Sequence, residues 1–322
     1  MIWILVFIIS CLLLFWSGSR LVEVLERMAK YLGWREFVVA FFIIAVAGSL
    51  PNFFVGLNAA LQGIPELSFG EIVGGNVIDM TLAVGLAILV SGRSISVKSR
   101  MVQASTIFTV IAAFLPWILI LDKNLSRIDG SALLLFFAIY VVWLFSKKEN
   151  FKNQISNSVN HKRTKPFLDF RVFLWDFVRS LFFALLILIG AWGVVESAKF
   201  FAICLGVGIS FVGIIIIGLG NALPETYFAT ISAKKGRTWM ILGDLMGSVI
   251  MTATFVLGLV VLIHPIHLET LSPFIIARFF LVLSALFFLV FIKTDKKITR
   301  SEAAILIAVY LIFVFAELAF QA

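Results

Sequence analysis

Charged residues, histidines and cysteines are all scarce in this chain. Only 14% of its 322 residues are charged, 61% are hydrophobic, and there are three histidines and two cysteines. A soluble domain of this length cannot bury so much apolar surface, so the composition excludes a soluble fold and predicts a protein of the lipid bilayer. Cys11 and Cys204 both lie in apolar runs, which favours small buried side chains over a disulfide or a metal site.

Two motifs that would indicate an enzyme or a nucleotide-driven pump are missing as well. The sequence contains no H-E-x-x-H zinc motif and no glycine-rich phosphate loop. We therefore predict that the protein is not an enzyme, carries no prosthetic group and binds no nucleotide. The net charge of +8 could indicate a nucleic-acid partner, but the distribution of the basic residues indicates membrane topology instead. Nothing in the sequence requires an oligomer.

Ten apolar stretches make up most of the chain. Each is about as long as a helix needs to be to cross the hydrocarbon core of a bilayer. The sequence therefore predicts an all-α membrane protein with ten transmembrane helices. They lie near residues 2–16, 37–61, 69–91, 101–121, 130–145, 174–194, 201–231, 239–263, 273–292 and 302–320.

Lysine and arginine are distributed unequally between the two sets of loops. The loops after the odd-numbered spans contain 21 of them, against three in the other loops. The positive-inside rule then predicts a multi-pass protein of the cell membrane, with the basic loops in the cytoplasm and both termini extracytoplasmic. The longest basic segment, 147–171, is predicted to be a cytoplasmic linker. It could bind anionic lipid or a partner, or simply set the topology.

A shift of 173 residues superimposes two parts of the sequence without a gap. The matched positions share glycine, proline and acidic residues, which indicates a duplicated unit. We interpret 1–146 as a first five-helix repeat and 172–322 as a second. Because five is an odd number, the two repeats should have inverted topology, which typically places a binding site near the bilayer midplane between the halves.

The repeated segments combine a proline with loosely structured neighbours. Gly48 and Ser49 precede Pro51 in the first copy, and Gly220 and Asn221 precede Pro224 in the second. Proline removes a backbone N–H and disfavours helical geometry in the preceding residue, so helices 2 and 7 are predicted to be broken there. Backbone carbonyls freed inside a membrane need a polar cavity or a ligand, and they suit hard cations.

Polar side chains recur at these points in both copies. Asn52 follows Pro51, Glu225 follows Pro224, and Asp79 and Thr252 each come 27 residues later. Brought together by the inverted repeat, the carboxylates of Asp79 and Glu225 would form a site for a hard cation, since zinc or copper would require His or Cys. The alternative is that the small polar residues only join helices. The matched acids Glu71 and Asp244 are expected nearer the membrane surfaces, as helix caps or as attractors of cations.

At these residues the sequence resembles the cation/calcium antiporter superfamily, in particular prokaryotic sodium/calcium exchangers. In that family each copy carries G-[ST]-S-x-P-E followed by G-S-N-x-x-N or G-S-N-x-x-D, and the first and sixth helices slide across the rest. The resemblance extends over nearly the whole chain. It implies that Ca²⁺ and Na⁺ (or H⁺) are bound by Glu225, Asp79, Asn52, Thr252, Ser248, Ser49, Asn221 and Asn76.

The sequence departs from the family pattern at several of these positions. The first-copy glutamate is replaced by Asn52, and the second-copy Asn/Asp position by Thr252. Two carboxylates could neutralise one Ca²⁺ or two monovalent cations in turn, which predicts electroneutral antiport with altered stoichiometry or selectivity. The alternative is a transport-impaired protein that keeps the exchanger fold for interaction or sensing. A shared aqueous cavity for Asp79 and Glu225 would favour transport, and salt bridges or tight packing would favour the alternative.

Overall fold

Ten helices follow one another along the chain. The computed structural model describes residues 2–31, 48–92, 94–96, 100–146, 170–236, 238–268, 272–294 and 297–321. The helices in these ranges are α1 Ile2–Tyr31, α2 Leu50–Leu61, α3 Pro65–Ser91, α4 Arg100–Leu119, α5 Arg127–Ser146, α6 Phe170–Leu205, α7 Ile209–Lys234, α8 238–263, α9 Ile275–Thr294 and α10 Arg300–Gln321. The predicted all-α architecture is thereby confirmed.

Nine of the helices in the described ranges are long and apolar enough to cross a membrane. The tenth, α2, has 12 residues and forms the second half of the span predicted for 37–61. The first half of that span and most of the basic linker, 147–169, lie outside the described residues. In the span predicted from residue 201, the structure differs: residues 201–205 end α6, and α7 begins at Ile209 after a turn in which Gly206 has φ +66°.

The sixth helix is longer than the sequence suggested. It has 36 residues and already includes Phe170 and Arg171, which we had assigned to the linker. At 1.5 Å per residue it is about 54 Å long, well beyond the ~30 Å of a hydrocarbon core. The two cysteines are free, and Cys204 near the end of this helix is exposed rather than buried as predicted.

Burial separates central from peripheral helices. About 78% of the most apolar window is buried in α3 and in 241–263 of α8, against 22% in α1 and 11% in α6. The long helices α1 and α6 pack against each other, and most of their surface faces outward. The repeated polar segments on α3, α7 and α8 are thus surrounded by the other helices.

Contacts between helices recur when 173 is added to one partner and subtracted from the other. A Cβ on Gly130 of α5 would lie 2.9 Å from the carbonyl oxygen of Gly258, and the shifted pair behaves alike: a Cβ on Gly85 would lie 3.0 Å from the carbonyl oxygen of Ala303. Two short antiparallel ribbons repeat the relation, β1 Ile95–Ser96 with β4 Lys297–Ile298 and β2 Asn124–Leu125 with β3 Ile266–His267. The two halves therefore exchange places in a pseudo-two-fold arrangement. Their opposite orientation in the bilayer stays a prediction.

The helix irregularities differ from the predicted breaks at proline. Pro51 lies in the first turn of α2 after Ser49, where a missing N–H has no partner to lose. Pro224, in contrast, lies inside a continuous α-helical segment, Gly218–Lys234, and the departure from α geometry comes earlier, in the π-helical turn Val212–Ile217. The wider π turn leaves carbonyl groups out of the α-helical pattern, so the expected irregularity of α7 is displaced upstream of the proline.

Candidate functional site

A small enclosed cavity lies where α2, α3, α7 and α8 meet. It has a volume of about 10 Å³, roughly the space that one water-sized particle needs. Six of the eight predicted ligands line it: Asn52, Asn76, Asp79, Asn221, Glu225 and Thr252. The structure therefore brings together residues from both repeats, as the sequence predicted.

Two π-helical turns place side chains at this cavity. Asp79 begins the turn Asp79–Ala83 in α3, and Thr252 lies in the turn Met251–Val256 in α8. The shift of 173 residues relates the two turns to within one position. π turns are rare, and they occur frequently at functional sites. Their repetition at the two matched positions indicates that both copies keep the same local distortion for the same purpose.

Asp79 and Glu225 are the two carboxylates predicted to converge. Both are buried, at 3% and 5% exposure, and neither takes part in any ion pair found among the described residues. One oxygen of each has no hydrogen-bond partner in that part of the chain. Ser248 lies near Asp79, although its hydroxyl makes no hydrogen bond of normal geometry. Bare buried carboxylate oxygens are costly unless a cation binds them.

The amide side chains link the two repeats. The amide nitrogen of Asn221 donates a 2.8 Å hydrogen bond to Glu71. The hydroxyl of Thr252 lies 2.8 Å from the amide oxygen of Asn76 and 2.9 Å from the carbonyl oxygen of Ser248. A hydroxyl has one proton and donates to only one of them at a time. These bonds join α3 to α7 and to α8 at the cavity.

Two predicted ligands stand apart from the cavity lining. Ser49 is buried and precedes the first turn of α2, where it makes no side-chain capping hydrogen bond. Ser248 is buried beside Asp79 but does not line the cavity. Among the described residues, no three acidic, histidine or cysteine side chains are placed so that they could hold a metal ion. A cation here would therefore need amide, hydroxyl or backbone oxygens in addition to carboxylates.

Glu71 and Asp244 lie deeper than the sequence suggested. Both are buried, at 2% and 7% exposure, and each is the seventh residue of its helical segment, so neither caps a helix. Glu71 lines the central cavity. A signal was available, since Glu71, Gly75 and Asp79 are spaced four apart and share one face of α3.

A second and wider cavity approaches the central one from one side. It has a volume of about 360 Å³ and reaches both Glu225 and Asp244 between α1, α2 and α7. Glu225 also lines the central cavity, so this side chain is shared between the two spaces. The position opposite Asp244 is Gly48, where a Cβ would lie 3.7 Å from Oδ1 of Asp244.

On the opposite side, α3 and α7 pack too closely for any side chain between them. A Cβ on Gly70 would lie 2.5 Å from the carbonyl oxygen of Ser210, and one on Gly213 would lie 2.5 Å from that of Leu67. A Cβ on Gly74 would overlap the backbone of Ile214. Glycine lets two membrane helices approach to backbone contact, so this side of the central cavity is closed.

Arg278 is a further buried charge that the sequence did not single out. We had expected this residue, near the start of α9, to extend toward the membrane surface. Instead its side chain is 5% exposed, and Nε donates a 3.2 Å hydrogen bond to the carbonyl oxygen of Phe274. Arg278 lines a small cavity together with Asn76. A positive charge therefore lies next to the central cavity on the side of α9.

The fold and the site define a class of protein: a multi-pass α-helical membrane protein whose two related halves enclose buried acids and amides. The family model described as sodium/calcium exchanger protein matches residues 2–146 and 175–319. The chain belongs to this family.

Individual relatives agree with that assignment. The sodium/calcium exchanger MaX1 of Methanosarcina acetivorans is 25% identical over 345 aligned positions, covering 96% of both chains. The inner membrane protein YrbG of Escherichia coli is 26% identical over 270 residues, covering 82% of this chain and 81% of that protein. A solved structure of the sodium-calcium exchanger NCX_Mj superimposes with a TM-score of 0.66 at 23% identity, covering 98% of both chains. That likeness shows a shared fold.

Proposed function

We propose that this protein is a secondary active cation antiporter, which exchanges Ca²⁺ for Na⁺ or H⁺ by alternating access at the central cavity. One observation carries the proposal: Asp79 from the first repeat and Glu225 from the second line one buried cavity together with amide oxygens. Two carboxylates with neutral oxygens are ligands that Ca²⁺ prefers. Membership of the sodium/calcium exchanger family supports the same ion class.

The absence of neutralising partners argues against a transport-impaired role. A protein that kept these acids only for structure would pair them with basic side chains, because an unpaired buried charge is costly. In the described part of the chain, neither Asp79 nor Glu225 has such a pair. The replacement of the first-copy glutamate by Asn52 removes one charge from the site, and it leaves both of these acids in place.

The two cavities suggest which conformation is present. The residues of α1 and α7 that line the wide cavity precede Arg27 and Lys234, so the cavity extends toward the face rich in basic loops. We propose that this is the cytoplasmic face and that the site is open to it. The glycine contacts between α3 and α7 would then close the extracytoplasmic side, and they would have to separate in the other half of the cycle.

Flux through reconstituted protein tests the proposal. We would load proteoliposomes with Na⁺ and then, separately, impose a proton gradient, and measure uptake of radioactive calcium. Wild type should accumulate Ca²⁺ under at least one gradient, and Glu225→Gln should not. Glu23→Gln is the control, because Glu23 is an exposed acid paired with Arg20. Equal uptake by wild type and Glu225→Gln would remove Glu225 from the mechanism.

A further inference from the structure

Glu71 is a third acid of the central cavity, and the site of Asp79 and Glu225 does not use it. Oε1 of Glu71 accepts the 2.8 Å hydrogen bond from Asn221, and Oε2 is buried without a hydrogen-bond partner among the described residues. No ion pair in that part of the chain involves Glu71. One bond from a neutral amide does not offset a carboxylate buried in a membrane protein. The side chain therefore lacks one positive charge.

From this geometry we propose that Glu71 and Asn221 form a subsite for one monovalent metal cation, Na⁺, beside the site of Asp79 and Glu225. The proposal rests on the proposed antiport function and adds a ligand pair to it. Glu71 supplies one full charge, and the side-chain oxygen of Asn221 faces the same small cavity. The amide oxygen of Asn52 is also buried without a partner among the described residues and completes a third oxygen position.

The count of charges favours a monovalent over a second divalent ion. Ca²⁺ takes six to eight oxygens, usually with more than one carboxylate, and Glu71 offers one carboxylate with two amide oxygens. The copy-two counterpart of Asn52 is Glu225, so the first repeat has an amide where a second acid would otherwise strengthen a divalent site. A single charge is what this group of side chains can neutralise.

Only one of the two repeats builds this subsite. The counterpart of Glu71 is Asp244, and the counterpart of Asn221 is Gly48, which has no side chain. A Cβ at Gly48 would lie 3.7 Å from Oδ1 of Asp244, so the geometry is repeated and only the amide is missing. Asp244 faces the wide cavity instead. We therefore expect one additional Na⁺ per protein molecule.

Equilibrium binding of radioactive sodium to the purified full-length protein tests this count without requiring transport. In Ca²⁺-free buffer at saturating Na⁺, wild type should bind one more Na⁺ per molecule than Glu71→Gln. Glu23→Gln should match wild type. Equal Na⁺ counts for wild type and Glu71→Gln would overturn the proposal, whether or not the protein transports Ca²⁺.

A second variant covers the case in which Glu71→Gln does not fold. Glu71→Asp keeps the charge but withdraws the carboxylate from Asn221, so it should keep the number of bound Na⁺ and bind the weakest one at least tenfold less tightly. A Na⁺ affinity unchanged from wild type would also overturn the proposal. A chain that binds Na⁺ as expected but fails the calcium flux assay would refute the antiport function and leave the Na⁺ subsite standing.

Discussion

Arg27 of α1 and Asp176 of α6 form a two-pronged ion pair, with both nitrogen–oxygen distances at 2.9 Å. The shift of 173 residues converts this pair into Phe200 and Trp3, whose rings stack with centroids 5.8 Å apart. The same two helices are therefore fastened at both ends, once by charge and once by aromatic contact. Because α1 and α6 otherwise pack mainly on each other, they are suited to move as one unit.

Removing the ion pair should loosen this unit. Arg27→Ala leaves the carboxylate of Asp176, only 3% exposed, without its main partner. Since Arg27 is partly exposed, we expect a loss of about 1–2 kcal/mol in stability, toward the low end for charged hydrogen bonds. Thermal unfolding of the purified protein would measure it.

The control for that variant is Arg179→Ala. Arg179 contacts the same carboxylate at 3.6 Å, but from within α6, so it does not connect the two helices. Exchanging the charges, with Arg27→Asp and Asp176→Arg together, should recover part of the lost stability. Equal effects of Arg27→Ala and Arg179→Ala would mean that the ion pair does not join the helices.

The closed side of the site depends on Gly74. Gly74→Ala places a methyl group against the backbone of Ile214, which cannot move aside as a side chain could. We expect a destabilisation of about 1–3 kcal/mol, typical of overpacking, and reduced calcium uptake because α3 and α7 cannot close. Gly208→Ala is a matched control, since nothing lies within 4 Å of a Cβ there, and normal uptake by Gly74→Ala would contradict the close packing.

The hydroxyl of Thr252 should contribute to ion affinity through Asn76. Thr252→Val keeps the shape and removes the donor to the amide oxygen of Asn76. We expect calcium binding to weaken by about tenfold, corresponding to about 1–2 kcal/mol for a lost buried hydrogen bond. The control is Thr254→Val, because Thr254 lies in the same π turn but bonds only the backbone carbonyl of Ile250. Similar losses in both variants would indicate a general effect of the turn.

Membrane orientation follows from the basic loops and can be tested with thiol labels. In a protein carrying Cys11→Ala and Cys204→Ala, a cysteine at Ser156 in the linker should be inaccessible to an impermeant reagent added to intact cells. A cysteine at Lys123, an exposed position after α4, should react. The reverse pattern would invert the assigned topology.

The helices could be predicted because apolar runs of this length have few alternatives in a membrane protein. The boundary between α6 and α7 was missed because residues 201–205 are apolar on both interpretations, and the turn at Gly206 gives no hydropathy signal. The predicted break at Pro224 failed for a different reason: the helix tolerates the loss of one hydrogen bond, and its irregularity lies in the preceding π turn.

The site could be predicted only in part. Spacing and repetition identified Asp79 and Glu225, because each copy places polar residues at the same offsets. The role of Glu71 depends on its contact with Asn221, 150 positions away, and the rotation of α3 against α7 that creates this contact cannot be read from local sequence. The face shared by Glu71 and Asp79 was visible, but the sequence argument extended it only as far as Gly75.

The central claim is that Asp79 and Glu225 bind the same calcium ion. A double-mutant cycle on equilibrium calcium binding, with Asp79→Asn, Glu225→Gln and both together, tests it most directly. If the two carboxylates share one ion, each single variant should lose most of the affinity and the double variant should lose clearly less than the sum. Losses that simply add, or calcium binding that survives both substitutions, would contradict the account.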